Sequence, residues 1–193
     1  MELAINAKVI CSDGESGHLG GMIFRPNANQ VTHLIVSWHY EEYIVPIIHV
    51  IQDSHDQITL NFSREDLRQQ PTIMETEFFR APYPQHLYFE SGWYTPYVML
   101  MSNYTVQHEH VPSGEIALNH QTRVFARDGE LGHIDEIIVN PDDHFAITAV
   151  MLHEGHWWHA KDLKIGIDRV KGIAGTAFFL KMTKNRLPTR PFQ

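Results

Sequence analysis

The chain has 193 residues, 43% of them hydrophobic and 11% aromatic, which is enough apolar material to build a core and too much for a disordered chain. Its formal charge of -8, from 15 Lys plus Arg against 23 Asp plus Glu, disfavours nucleic acid as the default partner, because every phosphate contact needs a cation. Cys11 is the only cysteine, which excludes an internal disulfide and any CxxC zinc or redox motif. No apolar run is long enough to cross a bilayer, and the start Met1-Glu2-Leu3-Ala4-Ile5-Asn6 has no export signature, so a soluble cytoplasmic protein is expected.

In chain order, Val9-Ile10-Cys11 leads into Asp13-Gly14-Glu15-Ser16-Gly17. Glycine supplies positive φ here and Asp can bond its own backbone, so this is a hairpin turn into the apolar alternation Leu19, Gly21, Ile23. Cys11 is then a buried strand thiol. Pro26-Asn27-Ala28-Asn29 turns the chain into Val31-Thr32-His33-Leu34-Ile35-Val36-Ser37-Trp38, a β-branched and aromatic run that predicts a second strand. Tyr43-Ile44-Val45-Pro46 and Gln57-Ile58-Thr59-Leu60-Asn61-Phe62 predict two more. Ser63-Arg64-Glu65-Asp66-Leu67 reads as one helical turn begun by a serine cap.

This plan recurs. Val9 to Leu19 matches Val124 to Ile134 as V-x-x-x-D-G-E-x-G-H followed by an aliphatic residue, the offset running from Asp13 to Asp128. Pro26 then matches Pro141, Thr32 matches Thr148, Val50 matches Val170, Leu60 matches Leu180 and Leu67 matches Leu187. The second copy predicts strands at Glu136 to Val139, Ile147 to Leu152 and Ala177 to Lys181, with a closing turn from Thr183. Several short strands in so little chain, without a long amphipathic helix, favour a small closed or nearly closed barrel in each copy.

The organisation expected is therefore all-β: a first barrel over 1–71, a connector over 72–116 and a second barrel over 117–193. The connector is too aromatic for a flexible linker and too rich in proline for a helix, so it should be ordered and packed on the barrels. Phe78, Phe79, Tyr83, Tyr88, Phe89, Trp93, Tyr94 and Tyr97 within it are the candidate interaction surface, since left in water they would form an unusually large apolar patch. Two thirds of the cations fall after residue 116, where 10 basic face 9 acidic side chains, against 4 and 9 in residues 1–71 and 1 and 5 in 72–116. A solvated edge accounts for them most simply, with a local basic patch as the alternative.

The D-G-E-x-G opening, the strand after the Asn-Pro or Arg-Pro-Asn turn, the Val45-Pro46 step and the closing strand and turn together resemble the PRC-barrel family, over about residues 5–71 and 119–190. His110 to Leu118 resembles the lead-in to second copies in tandem members. The resemblance implies two small six-stranded PRC-type barrels in tandem, offering a docking or regulatory surface and no shared catalytic residues. Its known members include the cytoplasmic domain of the photosynthetic reaction-centre H subunit and the C-terminal domain of a ribosome maturation factor. From this sequence neither the membrane helix of the first nor the RNA-associated N-terminal domain of the second is expected, and Gly166 stands where the first copy has Pro46.

Catalytic and metal chemistry find little support. His153-Glu154-Gly155-His156-Trp157-Trp158-His159 has three histidines, but their spacing differs from the helical H-E-x-x-H motif, and His108 and His110 alternate as on one strand face. His18 and His133 occupy one repeated slot, and Asp13, Glu15, Asp128 and Glu130 are turn residues on separate copies with no reason to converge on a substrate. The expectation is a non-enzymatic, cofactor-free interaction or scaffold module. It would bind a protein partner, including at the cytoplasmic face of a membrane complex, or a second copy of itself. A ribosome- or RNA-associated accessory factor is the alternative, and a histidine-based metal protein is a weaker one.

Overall fold

The computed structural model describes residues 1–54, 56–85, 98–154, 161–174 and 176–186. These form two compact units, one made of residues 1–73 with 111–193 and the other of residues 74–110. Among the described residues the protein is predominantly β, and no helix is long and apolar enough to cross a membrane.

In the first unit the strands are β1 (Glu2–Ala4), β2 (Lys8–Cys11), β3 (Gly14–Arg25), β4 (Gln30–Trp38), β5 (Glu41–Pro46), β6 (Val50–Ser54) and β7 (Gln57–Leu60), then helix α1 (Arg64–Arg68). The chain returns from the second unit as β10 (Ile116–Asn119), β11 (Arg123–Ala126), β12 (Gly129–Asn140), β13 (Ala146–Glu154), β14 (Lys161–Gly166), β15 (Val170–Ala174) and β16 (Ala177–Leu180). All belong to one 14-stranded sheet. The first half runs β6-β7-β2-β3-β4-β5 and the second runs β15-β16-β11-β12-β13-β14, so the sequence repeat is a repeat of strand order. Neither ladder closes on itself among the described residues.

Local chemistry explains the matching elements. Gly14 and Gly129 take φ of 134° and 139° at the tips of the two Asp-Gly hairpins, conformations costly for a residue with a Cβ. In β2 and β11 buried and solvent-facing residues alternate, as half-buried strands require, and Cys11 is buried. Ser63 caps α1 in a full capping box: its hydroxyl accepts from the Asp66 N–H at 3.1 Å, and its own N–H donates to the Asp66 carboxylate at 3.0 Å. Gly166 adopts φ -63° and ψ 143°, close to the -58° and 134° of Pro46, so both start the same short 3-10 turn.

The halves are joined by an exchange of strands that the repeat itself does not announce. β1, which precedes the first half, pairs with β12 of the second (Leu3 opposite Ile137), and β10, which precedes the second half, pairs with β3 of the first (Leu118 opposite Met22). A second junction is equally reciprocal. The Val31 N–H donates to the Phe145 carbonyl at 3.1 Å and the Ile147 N–H donates to the Asn29 carbonyl at 2.9 Å, with Asn29 and Phe145 both at positive φ, 54° and 57°. Main-chain bonds thus cross between the halves at related points. One core results, in which Leu3, Leu19, Met22, Phe24 and Leu60 pack in the same cluster as Leu118, Ile134, Ile137, Phe178 and Leu180. A smaller group, Ile23, Ile35, Ile44 and Ile73 with Val111 and Ala117, forms a second cluster. Thr72, Ile73 and 111–116, which read as connector, therefore belong to this unit.

In the second unit, β8 (Met74–Gln85) and β9 (Val98–Glu109) make a two-stranded antiparallel ribbon, from Met74 opposite Glu109 to Gln85 opposite Val98. Pro82 and Pro84 do not break β8. Being two residues apart, they share one side of the ladder, and proline is tolerated in an edge strand on the side whose N–H groups lie outside the pairing.

Candidate functional site

The eight aromatic residues singled out from the sequence divide between described and undescribed chain. Phe78, Phe79 and Tyr83 are strand positions of β8, opposite Thr105, Tyr104 and Leu100. Tyr88, Phe89, Trp93, Tyr94 and Tyr97 lie outside the described residues.

The repeated aspartates have a role that turn propensity alone did not predict. The Asp13 carboxylate accepts the N–H of Arg64 at 2.9 Å, and the Asp128 carboxylate accepts the N–H of Lys184 at 2.9 Å. Each therefore ties the opening hairpin of its half to the helical turn that closes it, satisfying a donor the turn would otherwise leave to water. Glu130 meets Arg123 at 3.7 Å on its own half.

His18 sits opposite Lys8 and His133 opposite Arg123, the same slot in each half. His153 lies opposite His133 across β12 and β13, His108 opposite Glu75 in the ribbon, and His110 is exposed beyond β9. His156 and His159 lie outside the described residues. Among the described residues no group of three His, Cys, Asp or Glu side chains is placed to hold a metal ion.

The described residues of the first unit form concavities on both halves. A cleft of about 630 Å³ follows β1 and its loop to β2, with Lys8, His18, Asp56, Asp135 and the buried Glu136 on its walls. Another, of about 600 Å³, opens on the second half and contains Phe125, Phe179, Arg127 and Lys171. Outside them, Tyr40 is fully exposed at the β4–β5 tip, where His39 and Tyr40 both take positive φ in a turn whose chemistry ordinarily selects Asn-Gly. Ile48 and Ile51 are also exposed. Sequence reading did not single out any of these three.

A clasp around the Glu115 carboxylate fastens the segment before β10 to the first half. The Glu115 side chain, 3% exposed, accepts from Arg25 at 2.7 and 3.0 Å and from the Thr32 hydroxyl at 2.7 Å, and His33 Nδ1 lies 3.0 Å from that hydroxyl. Burial lowers the His33 pKa from its ordinary 6.5; the Glu115 charge opposes this and Arg25 adds to it. The sign follows. A depressed folded pKa means the unfolded chain takes up the proton first, so this contribution stands above pH 6.5 and is lost as pH falls through it toward the folded value. Urea unfolding on either side of pH 6.5 should show stability falling on the acid side, and His33→Gln should flatten that dependence. Glu115→Ala should cost about 1–3 kcal/mol, the usual loss for hydrogen bonds to a charged group.

No protein-family model matches the chain, and no curated protein matches it. What the fold defines is a class: a predominantly β protein built on an internal repeat, with a separate β-ribbon.

Proposed function

We propose that this is a non-enzymatic, PRC-barrel-like tandem module that binds a protein partner, with the β8–β9 ribbon as the contact element. The observation that carries the reading is the ribbon itself: twelve register pairs in a compact unit that has two strands among its described residues, with Phe78, Phe79, Tyr83, Leu100, Met101 and Tyr104 among its positions. Two strands alone are marginally stable in water, and a two-stranded sheet gains full burial of aromatic positions only by lying against another surface. In this proposal the partner supplies that surface. At roughly 1.5–3 kcal/mol for each large apolar side chain fully buried, three or four such positions are enough to drive a specific association. Support for the PRC-barrel likeness comes from the strand order shared by the two halves together with their D-G-E-x-G-H openings.

The test is capture of partners from the source cell by the full chain and by a Phe79→Glu, Tyr83→Glu double variant, with circular dichroism as a folding control. The reading expects one protein recovered in stoichiometric amount by the native chain and lost with the variant. Equal recovery by both, or no partner for either, would contradict it.

A further inference from the structure

The two halves provide an internal control: one strand order carrying two different surfaces. At the β11–β16 pairing of the second half, Phe125 lies opposite Phe179; at the corresponding β2–β7 pairing of the first, Ile10 lies opposite Thr59. Likewise Arg127 corresponds to Ser12 and Lys171 to Ile51, whereas the buried neighbours Leu180 and Leu60 are alike. The strand order therefore does not require the aromatic and cationic set, which is present in one copy only. In that copy the set is assembled. Phe125 and Phe179 are stacked, with ring centroids 5.5 Å apart and planes at 17°, and Phe179 remains 41% exposed. Lys171 sits at the bulge between Val170 and Gly172 in β15, an end strand of the sheet, where a bulge re-aims a side chain.

All four line the 600 Å³ concavity, whose described lining residues include two cations and no acid. Part of its wall is bare backbone: a Cβ added at Gly172 would meet nothing within 4 Å, leaving room for a flat ring to approach. Nearby acids are already engaged, Asp128 with the Lys184 N–H and Glu130 with Arg123. The overall charge of -8 is not local either, since residues 117–193 carry 10 cations against 9 acids.

We propose that this face binds single-stranded nucleic acid, one base stacking on Phe179 and the adjoining phosphates meeting Arg127 and Lys171. An exposed aromatic flanked by cations fits that chemistry: the ring accepts any base, and the cations track the backbone. The residues of this proposal are not those of the ribbon, so either proposal can fail without the other.

The test uses the full chain and a fluorescently labelled single-stranded RNA of about ten nucleotides, read by anisotropy at low and at higher salt. The variants restore the first half's residues, Phe179→Thr and Lys171→Ile, with Lys171→Glu as a further charge reversal and thermal melts as the folding control. Binding should weaken with salt, Phe179→Thr should weaken it on the order of tenfold at constant salt, and Lys171→Ile should also reduce its salt dependence. No binding at low salt, or binding that none of the variants changes, would overturn the proposal. So would a free nucleoside monophosphate that binds as tightly as the oligonucleotide, since the occupant would then be the nucleotide and not the strand.

Discussion

Phe178→Ala should destabilise the first unit by about 3–5 kcal/mol, the range for deleting a fully buried phenyl ring, and should do so across both halves at once. Phe178 comes from β16 of the second half, is fully buried, and lies 6.4 Å between ring centroids from Phe24 of β3 in the first half. The cavity would open inside a cluster to which both halves contribute. If the copies were independent bodies, the loss would appear as an early transition of the second half only. Urea unfolding followed by circular dichroism should instead show one transition moved to lower denaturant with its slope kept.

Gly21→Val should be at least as damaging, by roughly 3 kcal/mol or more, because the obstruction is backbone rather than a movable side chain. A Cβ at Gly21 would stand 2.3 Å from the Leu118 carbonyl oxygen, where β10 crosses β3 and Asn119 lies opposite Gly21. The only relief is for β10 to leave β3, which would withdraw Leu118 from the core and loosen the Glu115 clasp a few residues earlier. Hydrogen exchange should report lost protection at Leu118 and Asn119 together with Gly21 and Met22. Native protection and stability in this variant would mean that β10 does not hold the place described.

These two positions also show where sequence reading stops. The repeat was legible because D-G-E-x-G-H encodes its own turn: glycines at positive φ and an aspartate at a fixed place recur in both copies. The serine cap of α1 was legible for the same reason, since it is decided within a few residues. The strand exchange was not. β1 is three residues long, and nothing in Glu2-Leu3-Ala4 states that its partner is Glu136 to Ile138, far along the chain. The ribbon was hidden by Pro82 and Pro84, which usually argue against a strand and are tolerated most readily in one that, among the described residues, pairs on one side. The link from Asp13 to Arg64 had a faint signal in the recurrence of Ser63-Arg64 as Thr183-Lys184, and the stacked Phe125 and Phe179 had one in the departure of the second copy from the first.

The central claim, that two sequence copies exchange their leading strands to make one folding unit, is tested most directly by residue-resolved hydrogen exchange of the full chain in increasing urea. Exchange of this kind separates regions that open independently from those that open together. The amides of β2 and β3 and those of β11 and β12 should lose protection at the same urea concentration, and Phe178→Ala should shift both sets equally. Protection that persists in one half after the other has opened would contradict the account.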